Sequence, residues 1–84
     1  MYSKELRDAV RNNDEDTFFK RIYKGDDPSY FDNQALRFSI SNRNVKITNK
    51  LLSDERVINK LYRDDLLIEQ LFKTFKREDI NVSL

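Results

Sequence analysis

The chain has 84 residues, 38% hydrophobic and 37% charged, with 16 basic side chains against 15 acidic ones and neither Cys nor His. That length makes one small domain, since two halves would each bury too little surface to hold a core. The missing residue types exclude a disulfide framework, a thiolate or imidazole metal site and the commonest general base, and the balanced charge argues against a broad phosphate-binding face.

No apolar run approaches the roughly 20 residues that span a bilayer. The opening "MYSKELRDAV" lacks the apolar centre of a secretory signal, so the expected setting is cytoplasmic, with no membrane partner. One Gly and one Pro in the whole chain leave helices joined by short turns, an all-α fold. The wealth of Asn, Lys, Ile and Asp beside few Ala, Gly and Pro suggests coding from an AT-rich genome.

In chain order, Ser3 is placed to cap a first helix whose Leu6, Ala9 and Val10 form an i, i+3, i+4 stripe, broken at Asn12-Asn13. A second helix starts at Asp14 or Asp16, turns Phe18, Phe19 and Ile22 inward, and ends at Gly25 in the left-handed conformation. "DDPSYFDN", Asp26 to Asn33, reads as the one proper loop. A third helix begins near Asp32 or Asn33, carries Leu36, Ser39 and Ile40, and stops at Asn42-Arg43. Asn44 caps a fourth with Ile47, Leu51 and Leu52 inward. Ser53-Asp54 opens a short helical piece bearing Val57 and Leu61. Asp64 and Asp65 then cap a last long helix with Leu67, Leu71 and Phe75 on one face. The polar tail, 78–84, is expected to fray.

The carboxylate runs Asp14-Glu15-Asp16, Asp26-Asp27 and Asp64-Asp65 each fall at a helix start or turn, where they stabilise free amide groups. None has the alternating ligands, Gly and distal Glu of a calcium loop. No pair of Asp, Glu, Lys or Tyr has a spacing that recommends acid–base chemistry. The chain is therefore read as no enzyme, with no cofactor and no metal.

The sequence also repeats itself. Leu6 and Leu36, Arg7 and Arg37, Ala9 and Ser39, Val10 and Ile40, Asn12 and Asn42, and Ile22 and Leu52 all lie thirty residues apart. A small residue at positions 9 and 39 allows a neighbouring helix to pack closely there. With Ala35-Leu36-Arg37, Ser39, Asn42, Ile47, Leu51-Leu52, Ser53-Asp54 and Arg56-Val57, the second unit resembles a divergent ankyrin repeat. The first unit resembles one through Leu6-Arg7, Ala9 and Asn12. The likeness covers about residues 4 to 57, as unit one (about 4–31) and unit two (about 32–57).

The family's Gly at the inter-helix turn is replaced by Asn13 and Arg43. Asn tolerates the left-handed region better than Arg, so Asn42 is expected to absorb the strain in the second unit. The usual "T-P-L-H" start is missing from both units. A third period fails at Glu69, which falls where Ala9 and Ser39 sit and cannot be buried unpaired. Residues from about 58 to 77 are therefore read as a helical cap, because two units alone are too few to stack stably.

The resemblance implies a non-enzymatic protein-binding module whose first helices face a concave surface. Arg7, Asp8 and Arg11 of unit one and Arg37, Phe38 and Ser41 of unit two occupy those positions. Tyr30 and Phe31 sit on the rim, either as partner anchors or folded back between the helix pairs, Phe31 the more so. Arg43 adds a charge to the ring around these aromatics. Size and resemblance together suit a viral or phage accessory protein that blocks a host factor in the host cytoplasm by steric occlusion. Self-association through an open end of the stack is a further reading. The alternative function is a nucleic-acid-binding, helix-turn-helix-like domain using Arg43, Lys46, Asn49 and Lys50. Against it stand the neutral net charge and Asn49, which falls where such a motif buries an aliphatic side chain.

Overall fold

The computed structural model describes residues 4–82, and among them the chain is all-α with no strand. Six α-helices run in the order α1 (Lys4–Arg11), α2 (Glu15–Tyr23), α3 (Tyr30–Ser41), α4 (Val45–Leu52), α5 (Glu55–Leu61) and α6 (Asp65–Thr74), followed by a 3-10 turn at Arg77–Asp79. None exceeds 12 residues, too short to persist alone in water, so each owes its stability to the apolar stripe it buries. Ser3, expected to cap α1, lies outside the described residues.

Carboxylates and amides start these helices as their sequence positions require. Asp14, Asn44 and Asp64 accept the Thr17, Ile47 and Leu67 amides from α2, α4 and α6 at 3.2, 2.9 and 3.1 Å. Asp54 accepts the Arg56 amide at 2.8 Å, and α5 begins at Glu55, directly after the Ser53-Asp54 pair read as opening a short helical piece. Asp26 takes a different role from the capping expected of its run. It is nearly buried and holds Arg21 through two bonds of 2.8 and 2.9 Å. Removing Arg21 would leave the nearly buried Asp26 charge uncompensated, which is strongly destabilising, whereas the guanidinium keeps access to solvent.

Helix α3 is central: it packs on α1, α4, α5 and α6. The core is continuous along the chain, from Leu6, Ala9 and Val10 of α1 through Phe18, Leu36, Ile40, Ile47, Leu51 and Leu52 to Val57, Leu61, Leu67, Leu71 and Phe75. Each fully buried Leu or Ile contributes about 1.5–3 kcal/mol.

The two thirty-apart hairpins follow one hydrogen-bond scheme. In the first turn the Asn13 and Asp14 amides donate to Val10 and Ala9 carbonyls at 3.2 and 2.8 Å; in the second, the Arg43 and Asn44 amides donate to Ile40 and Ser39 at 3.0 and 3.0 Å. Ala9 and Ser39 are both buried. The Ser39 hydroxyl is satisfied within the core, donating to the Leu36 carbonyl at 3.0 Å and accepting from Thr48 at 2.8 Å.

Asn42 does not absorb the turn's strain. It stays right-handed at φ −82°, while Arg43 takes φ 58°, the counterpart of Asn13 at 57°. The closing bonds from residues 43 and 44 demand a left-handed residue at 43, and Asn42 is held by a separate task. Its amide Nδ2 donates to the Val10 and Arg11 carbonyls at 3.0 and 3.1 Å, supplying partners to the free end of α1.

As far as residue 82 the tail departs from the frayed end expected of 78–84; residues 83–84 lie outside the described residues. Asn49 of α4 donates to the Asp79 carbonyl at 2.8 Å and accepts the Asn81 amide at 2.9 Å, and Ile80 is buried in the core. Ile80, with Val82 partly buried beside the core, is held because a side chain of a distant helix satisfies the backbone on both sides of it.

Candidate functional site

The connector between α2 and α3 leads into an exposed pair of stacked aromatic rings, Tyr30 and Phe31. Gly25 ends α2 at φ 96°, as its position after the apolar stripe requires. The Asp27 carboxylate then accepts the Ser29 amide and hydroxyl at 2.9 and 2.8 Å. Next come three consecutive left-handed residues, Phe31, Asp32 and Asn33, at φ 56°, 55° and 60°. Side-chain-bearing residues in that region cost about 1–2 kcal/mol each, so the turn persists only because its surroundings hold it.

Those restraints are specific. The Asn33 amide nitrogen donates to Ser29 O at 3.1 Å, and its buried side chain donates to Val57 O at 3.1 Å. Lys60 donates to Ser29 O at 2.8 Å. Arg37 binds the Asp32 carbonyl and carboxylate at 3.1 and 3.2 Å and also bridges to Asp64. The Leu67 amide, followed by the Arg37 guanidinium, holds the Asp64 carboxyl below its ordinary value despite some burial.

This turn aims Phe31 outward. Phe31 is 68% exposed and Tyr30 44%, and their rings stack at 6.3 Å with 30° between planes. The expected ranking is thereby reversed, because the left-handed backbone turns the Phe31 side chain away from the gap between helix pairs. Phe38 takes an intermediate place: it is partly buried against the core, with the Arg11 guanidinium 5.2 Å above its ring. Arg7 and Asp8 bond each other at 3.2 Å on α1. The hollow that Arg7 and Tyr30 share has a volume of about 10 Å³, room for one water at most.

Three of the expected residues converge elsewhere. Arg37, Ser41 and Arg43 border a groove of about 330 Å³ between α3 and α6, with Ile40 and Leu67 at its base and Gln70 and Thr74 across from them. Sequence reasoning missed the α6 wall: polar residues at a four-residue spacing look like any solvated helix face until α3 is set beside them. A second depression, about 390 Å³, is bordered by Asp32, Lys60, Arg63 and Asp64, and the Arg37–Asp64 ion pair joins the two borders.

Two residues of the alternative reading, Lys46 and Asn49, are engaged in other ways, and Arg43 lines the groove. Lys46 sits 3.6 Å from Glu15 and 5.6 Å from the Phe19 ring centre, and both ends of the Asn49 amide hold the tail. Among the described residues, no group of three or more acidic side chains is arranged to hold a metal ion, and no helix is long and apolar enough to cross a membrane. Comparison with protein-family models, curated proteins and solved structures found no match.

Proposed function

We propose that this chain is a protein-interaction domain, built on two ankyrin-like helical hairpins, that works by covering part of a partner's surface rather than by chemistry of its own. The observation that carries this reading is the Tyr30–Phe31 pair. A ring that is 68% exposed gains little from folding, yet it stands on a strained turn fixed by Arg37, Asn33 and Lys60. An aromatic held rigidly outward loses little conformational freedom on binding, which is the property of interface anchors. Arg37 lies beside the aromatic pair through its bonds to Asp32, and Arg11 with Phe38 extends the face across α1 and α3.

Capture of partners from cell extract by the immobilised chain, compared with variants, tests this. Phe31→Ala should cut capture at least tenfold, consistent with an anchor worth about 2 kcal/mol, with helicity and melting unchanged. Tyr23→Ala, at a side chain 92% exposed on the last residue of α2 and outside the Tyr30–Phe31 stack, should capture as the unaltered chain does. Equal capture by the Phe31 variant, or equal loss by both, would refute this face.

A further inference from the structure

The groove between α3 and α6 has a composition that specifies an occupant. Its two charged lining residues, Arg37 and Arg43, are both cationic, and no carboxylate lines it. Arg37 is already compensated by Asp32 and Asp64. Arg43 has no ion-pair partner among the described residues, and its backbone is fixed by the turn at φ 58°. Gln70 and Thr74 offer neutral hydrogen-bonding groups opposite, and Ile40 and Leu67 give the base an aliphatic patch. At about 330 Å³ the groove is at the small end of the range for ligand sites, enough for a side chain and a short stretch of backbone.

We infer that this groove binds a short acidic peptide segment of a partner protein, an aliphatic side chain resting on Ile40 and Leu67 and a carboxylate meeting Arg43. This deepens the interaction-domain reading and rests on it. A nucleic-acid strand fits less well, because a polyanion needs a continuous cationic track. The adjoining depression interrupts one with Asp32 and Asp64.

A random twelve-residue peptide library displayed on phage, selected against the full chain, supplies the probe. Selected peptides, synthesised with a fluorescent label, are then measured by anisotropy. Enrichment of Asp or Glu beside Leu, Ile or Val is expected, with affinity falling at least tenfold in Arg43→Glu and severalfold when salt is raised to screen the charge pair. Selection of basic or uncharged sequences, no selection at all, or indifference to Arg43→Glu would overturn the assignment. So would displacement of the labelled peptide by a single-stranded oligonucleotide as effectively as by unlabelled peptide. Peptides that ignore Arg43→Glu but are lost in Phe31→Ala would end the groove proposal and leave the wider interaction face standing.

Discussion

The two hairpin turns, Asn12–Asp14 and Asn42–Asn44, follow the same path with different side chains. Both close on the carbonyl of a buried small residue, and both place a left-handed residue at the second position. They differ in the direction of their ties. The second turn reaches back to the first: Asn42 binds Val10 and Arg11 carbonyls, and Asn44 donates to Asn13 and Glu15 at 3.2 and 3.1 Å. The backbone geometry is thus set by the closing bonds, whereas the second hairpin is tied to the first, beside the shared apolar core, by asparagine side chains that only the second turn supplies in this way.

The largest effect expected from separating these roles is at Asn42. Asn42→Ala removes two hydrogen bonds at the end of α1, leaving the Val10 carbonyl only the Asn13 amide, and should destabilise the chain by about 1–3 kcal/mol. Asn12→Ala, at the exposed equivalent position, should change stability by no more than about 0.5 kcal/mol. Urea unfolding of both variants reads the difference directly. Equal losses would mean that the two asparagines do the same local work and that the stack is held by apolar packing alone.

A smaller effect of opposite sign is expected at the left-handed position. Arg43→Gly relieves backbone strain of about 1–2 kcal/mol and gives back about 0.5–1 kcal/mol through the freedom of glycine in the unfolded chain. The net gain should be about 0.5–1 kcal/mol, several degrees in melting temperature for a domain of this size. Asn13→Gly should change little, because asparagine already tolerates φ 57° better than arginine does. If Arg43→Gly melts no higher than the parent, Arg43 itself makes stabilising contacts at the groove.

This contrast also explains what was legible in the sequence. The helices, the carboxylate caps at Asp14, Asp54 and Asp64, the left-handed Gly25 and the equivalence of the two hairpins depend on residues within four or thirty positions of each other. Such regularities stand in the residue order. The left-handed turn at Phe31–Asn33 contains no glycine to announce it, and it is imposed from Val57, Lys60 and Asp64, more than twenty residues away. The docking of Ile80 depends likewise on Asn49. Of the residues that line the groove, Arg37 and Ser41 were named from repeat position and Arg43 as a charge around the aromatics. Gln70 and Thr74 were not, because they meet these residues only once α6 lies beside α3.

The smallest effect concerns the caps, and it separates the hairpins by pH. Asp14 caps α2 and Asn44 caps α4 in the same geometry, but only the first can titrate. The Thr17 hydroxyl, and after it the Thr17 amide, hold the Asp14 carboxyl below its ordinary value against slight desolvation. A native value below the unfolded one of about 3.9 means that the ionised cap's contribution is fully present above that pH. It is lost as pH falls through the depressed native value. Other carboxylates titrate in the same window, among them Asp54 beside Arg56 and Glu69 beside Lys73, so the readout is a difference between chains. Urea midpoints of the parent and of Asp14→Asn, followed from about pH 6 to about pH 2.5, should converge or cross as the parent alone loses its charged cap. Asn44→Asp should behave in a related way: at pH 6 its new carboxylate faces Glu15 and destabilises the turn, and acid removes that repulsion. Parallel curves for the parent and Asp14→Asn would show that the cap at Asp14 works through its hydrogen bond alone and that its charge contributes nothing to the first hairpin.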